Sequence, residues 1–462
     1  MVSPVPRLRY RSPDSTPIPP TIAETRLEER KEKWFGYRAM RTPNRALVLC
    51  ALALGACKQP STDQAQQPSG GSTAATVPSG SEILIGATLP LTGSEARIGG
   101  FYKEGYDLAF EEANQNGGVS VGGKKMQVRL TLLDDTSTQA TAASLADRLI
   151  NSDKVQFLLG TYSSHLVEAQ SVVAEQNHVP YVNGGGGAKE IYKRGFKYLF
   201  GLLAPVQLLS TALMEWIDSQ QQAGKVPKPA KIAVLWENTA HGKDFRSGVS
   251  DFGDKHKDGY QVAVDESFEL NGKDFSALLG KVKSAGVDLF LADAHLPDYI
   301  TMQRQYVTLG LCHKVQSYGA RGSEKQAAEA LGAEHVRYIL SAVWWNAQLG
   351  TQGITKKFVD AFKAKQKRDP EWYQAVAYET ARALFLGIEK AATLDRDKVR
   401  DALAALDVES ILPGGKLQFK QEDGQQAIYP FVVQQNQPDG SSPIVWPKES
   451  AKSSGSPNPG CK

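Results

Sequence analysis

From Glu82 onward, short apolar runs alternate with stretches of helical spacing, and this alternation restricts the fold more than any other property of the chain. Glu82–Leu89 (EILIGATL) reads as a strand stopped by Pro90, and a helical pattern follows over 100–114. The unit repeats as a period-two strand over 126–133 with a helix over 138–151, then a strand over 155–159, a helix over 164–177 and a strand over 179–182. A second series has strands at 231–236, 261–266 and 287–292 and helices at 243–257, 274–285 and 297–309. Strands separated by whole helices need crossover connections, and these produce parallel sheets covered on both faces. Two such series predict an α/β chain of two lobes. A strand over 336–345 then leads into helices at 355–368, 372–391 and 397–406, and β segments at 417–419 and 428–434 close the body. Those helices belong with a lobe that already has its strands, so the chain is expected to cross between lobes more than once.

The 462 residues are 41% hydrophobic with four cysteines, which excludes collagenous, disordered and disulfide-stapled classes. Residues 1–57 hold ten of the 53 Lys and Arg and five of the 50 Asp and Glu, so the remainder carries 43 basic and 45 acidic residues, net −2. Charge therefore gives no support to a polyanion-binding surface, and no nucleic-acid partner is expected.

Ala46–Ala56 (ALVLCALALGA) is an apolar run of eleven behind Arg41 and Arg45. A bilayer span needs about 20 such residues, so the run reads as a secretory h-region. With Leu54-Gly55-Ala56-Cys57 it resembles a bacterial lipoprotein signal, which implies acylation of Cys57. Met40 would make an ordinary start for such a signal, so translation from Met1 or Met40 stays open. Residues 58–81, rich in Gln, Ser, Thr, Gly and Pro, read as a disordered tether of roughly 27 Å reach. Of the remaining cysteines, Cys312 and Cys461 have no pairing pattern and are expected to be independent thiols.

In open parallel sheets, ligands bind beyond the carboxyl ends of the strands. Those ends read Leu91-Thr92-Gly93-Ser94, Gly160-Thr161-Tyr162-Ser163-Ser164, Asn183 with Gly184 to Gly187, Trp236 to Gly242, Asp293-Ala294-His295 and Tyr318 to Gly322. The Gly184 to Gly187 run lacks the Lys and Ser/Thr of a P-loop, and the dinucleotide glycine spacing is absent. No Gly-x-Ser-x-Gly elbow, His-Glu-x-x-His or paired Cys-x-x-Cys occurs, so neither an enzyme nor a metal or cofactor site is expected.

Here the residues carry a resemblance. Ala87 to Gly93 (ATLPLTG), Leu133-Asp134-Asp135, Gly160 with Ser163-Ser164, Lys273 to Leu279 (KDFSALL) and Leu412 to Phe419 (LPGGKLQF) run in order as in the branched-chain amino-acid periplasmic binding proteins of ABC transporters. The chain from about 82 to 447 resembles that family. The resemblance implies two Rossmann-like three-layer lobes joined by a three-segment hinge, the type I fold. Residues 82–203 with 343–430 would form lobe 1, and 204–342 with 431–447 lobe 2. Residues 448–462 are expected to be a disordered tail.

In that family the substrate carboxylate is held by a serine hydroxyl and backbone N–H groups, which here fall on Ser164, beside Ser163, and on the loop at Gly185. The ammonium ligands fall on Gly187, Gly185 and Arg321. Glycine offers no hydroxyl, and an arginine stays charged; at 4 Å and a dielectric near 20, it repels an ammonium by about 4 kcal/mol. Aromatic positions over the ligand fall on Ile98, His241 and His295, so phenols are exchanged for imidazoles. The expectation is a cleft for a carboxylate solute without a required ammonium, such as an aromatic or short aliphatic acid; Asp293 and Asp298 leave an amino acid open. Ser164 also fits a helix cap, Arg321 an outward surface pair, and each histidine a structural or solvated role.

The expected role is a monomeric, lipid-anchored, periplasmic solute-binding protein that captures its solute by lobe closure and delivers it to an ABC permease, the lipid being its only membrane contact. A ligand-sensing receptor module is the alternative; no second membrane segment follows residue 447, which favours a carrier.

Overall fold

The computed structural model describes residues 82–420 and 424–461; Cys57 and the tether expected before Glu82 lie outside these residues. The first pass of the chain lays down β1 (Glu82–Leu89), α1 (Ala96–Gln115), β2 (Val119–Val121), β3 (Lys124–Asp134), α2 (Gln139–Asn151), β4 (Phe157–Leu159), α3 (Ser164–Gln176), β5 (Tyr181–Asn183) and β6 (Leu199–Gly201). The second begins with α4 (Val206–Gln222) and continues through β7 (Ala230–Glu237), α5 (Ala240–Lys255), β8 (Tyr260–Phe268), α6 (Ser276–Ala285), β9 (Leu289–Asp293), α7 (Leu296–Thr308), β10 (Val315–Tyr318), α8 (Lys325–Leu331) and β11 (Leu340–Val343). The chain then returns for α9 (Gly353–Gln366), α10 (Trp372–Ala391), α11 (Arg396–Ala404), β12 (Asp407–Glu409), β13 (Lys416–Lys420) and β14 (Gln426–Ala427), and finishes with β15 (Val432–Gln435) and β16 (Ile444–Trp446).

The strands form a nine-stranded sheet, β12-β13-β14-β6-β5-β4-β1-β3-β2, and a seven-stranded sheet, β16-β15-β11-β10-β9-β7-β8. In each, the series expected to be parallel is so: β1 pairs with β3 and β4, and β7 with β8 and β9. The central strands are apolar up to their carboxyl ends because helices cover both faces; all five residues of β9 are buried. The fold is the expected two-lobe α/β architecture. Helix α4 has no counterpart among the helices expected from the sequence, yet its Val206, Leu209, Leu213, Met214, Trp216 and Ile217 are buried at helical spacing.

Three segments join the sheets, between β6 and α4, between β11 and α9, and between β14 and β15. They are fastened to one another: Trp344 Nε1 donates to Ala204 O at 2.8 Å, Gln426 Nε2 to Leu203 O at 2.8 Å, and Tyr429 Oη to Leu202 O at 2.8 Å. The Trp344 and Phe431 rings lie 5.3 Å apart. One continuous apolar core includes Ile85, Trp344 and Leu289, so it runs through the hinge from one sheet into the other.

Two expectations about the C-terminus are corrected. Residues 448–461 are placed: Asn458 N donates to Lys314 O at 2.8 Å, and Ser456 N to Gln435 Oε1 at 2.9 Å. Cys461 is disulfide-bonded to Cys312, with Cα atoms 5.3 Å apart, so the two are not independent thiols. The segment lacks the apolar content to hold itself, but the covalent link and main-chain bonds beside β10 offset its ordering entropy. The bond closes a loop across a separation of 149 residues. Cys461→Ser is expected to reduce stability by about 2–4 kcal/mol, read as a lower urea midpoint in non-reducing buffer; an unchanged midpoint would show that the bond contributes nothing.

Candidate functional site

The lobe-1 wall is built by two loops pressed together. β4 ends into Gly160 to Ser163 before α3, and β5 ends into Gly184 to Gly187. A Cβ at Gly185 would lie 1.9 Å from Thr161 O and 2.7 Å from Tyr162 Cα, so only glycine lets the second loop pass the first. At Gly187 a Cβ would meet Val206 Cγ2 at 2.9 Å and Trp344 Cζ2 at 3.2 Å. The hinge tryptophan thus occupies the space that a threonine there would need.

Ser164 Oγ accepts from Gly187 N at 3.1 Å and Ala188 N at 3.3 Å. The hydroxyl and the loop N–H groups expected to share a substrate carboxylate therefore point at each other. Ser163 Oγ lies 2.9 Å from His165 Nδ1. Burial and the neighbouring His295 and His241 depress His165 to about 4, so its imidazole is neutral at pH 7.

On lobe 2, Glu237 closes β7, Asp293 closes β9, His241 lies in the first turn of α5, and His295 caps α7. His295 Nδ1 is 2.6 Å from Glu237 Oε2, and His241 Nε2 is 3.3 Å from Asp293 Oδ2. Burial alone would raise the Glu237 carboxyl and depress the His295 imidazole, but each outweighs it for the other: Glu237 is held low and His295 high. Asp298 accepts from Asn271 N at 3.0 Å, and burial raises its pKa to about 6.

Arg321, in the turn after β10, is 3% exposed, so the outward-facing reading fails. Its Nη2 donates to Tyr162 Oη, from the opposite lobe, and its Nε is 3.4 Å from Glu324 Oε1. Tyr373 Oη, at the start of α10, donates to that same Glu324 oxygen. The guanidinium carbon lies 5.7, 5.6 and 6.0 Å from the Tyr162, Trp372 and Tyr373 rings, a distance at which aromatic faces favour a cation. Burial raises the Glu324 carboxyl to about 7 against the opposing pull of Arg321 and the Tyr373 hydrogen bond. Arg321 Nη1, Glu324 Oε2 and His295 Nε2 are buried without a hydrogen-bond partner in the protein. Beside this group opens a pocket of about 340 Å³ lined by Glu324, Lys325, Trp345, Trp372 and Gln434.

His295 and Arg321 thus meet Tyr162, with His241 beside His295 at 5.9 Å between ring centroids and Gly185 packed behind Tyr162, while Ile98 lies in the apolar core. Two expectations change. The phenols are supplied by Tyr162 and Tyr373 from other positions, and Glu237, Asp293 and Glu324 lie beside His295, His241 and Arg321, so the wall mixes acidic with basic side chains. Tyr162 and Glu237 were within the strand-end segments, where alternation of types gave no reason to rank them. Glu324 lies just beyond the Tyr318 to Gly322 strand end, at the start of α8, and Trp372 and Tyr373 open α10, where no sequence signal marks them. Among the described residues, no helix is long and apolar enough to cross a membrane.

Comparison with known proteins agrees with this geometry. The family described as Periplasmic binding protein matches residues 82–441. The Leu/Ile/Val-binding protein homolog 7 of Brucella suis biovar 1 is 27% identical over 386 residues, 82% of this chain and 94% of its own. The fold is similar to that of the branched-chain amino acid transporter substrate binding protein LivJ from Streptococcus pneumoniae in complex with isoleucine, with TM-score 0.67 and 21% identity over 79% of this chain and 100% of that one. It is also similar to an ABC transporter solute binding protein from R. palustris in complex with benzoate, with TM-score 0.65 and 20% identity over 79% of this chain and 95% of that one. With two covered sheets hinged by three segments and a match that runs over most of the chain, this protein belongs to the periplasmic binding protein family.

Proposed function

We propose that this protein captures a small carboxylate solute between its lobes and hands it to an ABC permease while held to the membrane by a lipid on Cys57. The family is one of solute binding on the extracytoplasmic side, and relatives of similar fold were solved with isoleucine and with benzoate. The observation that carries the carboxylate reading is Arg321: a buried guanidinium in an aromatic cage with Nη1 unpartnered. A carboxylate at Nη1 would make a charge-assisted bond, roughly twice as strong as a neutral one. The rings of Tyr162 and Trp372 offer apolar surface to an aromatic or short aliphatic body, and the Arg321 charge repels a free α-ammonium. Closure follows if the solute touches both lobes, because only differential contacts shift the population.

A thermal-shift screen separates the ligand classes: benzoate and short aliphatic acids should raise Tm and leucine should not, and the reverse pattern would overturn the carboxylate reading. Arg321→Ala is expected to weaken binding of the best acid by at least about tenfold in calorimetry, with an unchanged far-UV spectrum; equal affinity would remove Arg321 from the site.

Glu324 adds a pH dependence of definite sign. Its pKa is raised from 4.5 to about 7 in the folded protein, so folding takes up a proton between those values. The contribution is fully present below pH 4.5 and declines as pH rises through about 7. Tm of the wild type should therefore fall over that interval relative to Glu324→Gln; parallel curves would contradict the assignment. For the anchor, the full chain expressed in a bacterium should fractionate with membranes and Cys57→Ala with the soluble fraction, whereas a membrane-bound variant would contradict lipidation.

A further inference from the structure

The lobe-2 wall holds a constellation that the carboxylate reading leaves unused. β7 and β9 are neighbours with Trp236 opposite Asp293, so Glu237 and Asp293 leave the sheet at one edge. His241 reaches the same place from the first turn of α5. One oxygen of each acid and one His241 nitrogen lie within 4.8 Å of one another. Glu237, His241 and Asp293 are 1%, 6% and 2% exposed.

Three observations point to a cation there. Asp293 Oδ2 is buried with no hydrogen-bond partner in the protein, and buried carboxylate oxygens are rarely left so. It lies 3.3 Å from His241 Nε2, and two donors each at 2.0–2.1 Å from a tetrahedral zinc sit about that far apart. Glu237 is oriented from behind by Thr239 Oγ1, which donates to Oε1 at 2.9 Å, and by His295 Nδ1, 2.6 Å from Oε2. Outer groups hold ligating carboxylates in this way.

We propose that Glu237, His241 and Asp293 bind one divalent transition-metal ion in the wall of the cleft. One imidazole and two carboxylates without sulfur suit zinc, nickel or cobalt, whereas calcium and magnesium take larger oxygen sets. The sequence spacing gave no metal motif because β8 and α6 separate Asp293 from the other two ligands. A bound dication would balance the two carboxylates and leave a coordination position for water or a solute oxygen.

The test is calorimetric titration of the untagged, chelator-treated full chain with zinc chloride, with the visible spectrum of the cobalt form as a second readout. One equivalent should bind; Asp293→Asn and His241→Gln should each weaken it by at least about tenfold. His335→Gln, an exposed histidine 3.6 Å from Glu334, should leave it unchanged. Far-UV spectra check folding, and the two ligand substitutions stand in for each other if one is unstable. Absence of zinc binding in the wild type, binding indifferent to both ligand substitutions, or loss through His335→Gln would each overturn the proposal.

Discussion

A guanidinium buried between two lobes sets the demands that the rest of the site meets. Arg321 stays charged, and an unpaired charge in the interior costs several kcal/mol. Its compensation comes from both sides: Tyr162 and Tyr373 from the first lobe, Glu324 from its own. This geometry is possible because Tyr162 stands on a loop that Gly185 braces at main-chain contact distance. A side chain at 185 would push that loop out of place, and with it the hydroxyl that meets Arg321. A glycine behind the loop thus determines where the cation can sit.

The same economy of space shapes the lobe-1 wall beside the hinge. Trp344 bonds one crossing segment to another through Ala204 and, with Val206, closes off the volume beside Gly187. A side chain at Gly187 would collide with Val206 and the hinge tryptophan, so that position offers only its main chain. The crossing segments are bonded to one another, which concentrates the freedom for opening in a few backbone dihedrals. Asp244 of α5 accepts from Lys189 N of lobe 1 at 3.3 Å, a contact that opening would break.

The sheets were legible because parallel strands buried on both faces read as apolar runs, as in Glu82–Leu89. Helix α4 escaped because its start follows Pro205 in what looked like a connection, and only packing against α5 discloses its buried stripe. The Cys312–Cys461 bond had no signal, since pairing depends on the tail folding back beside β10. The site divided in the same way. Residues at strand ends were located, because parallel topology brings those ends to one edge. Their partners were not: Tyr373 lies 49 residues from Glu324, and only the return of the chain to lobe 1 brings them together. Nor does the sequence show that Glu237 pairs with His295, 58 residues away, which sets the charge of that part of the wall.

The central claim is that the lobes close on a carboxylate through Arg321. Small-angle X-ray scattering of the wild type and Arg321→Ala, each with and without the acid that gives the largest thermal shift, tests it most directly. The account predicts a smaller radius of gyration on adding the acid to the wild type and none for the variant. Equal compaction in both, or no change in the wild type at saturation, would contradict it.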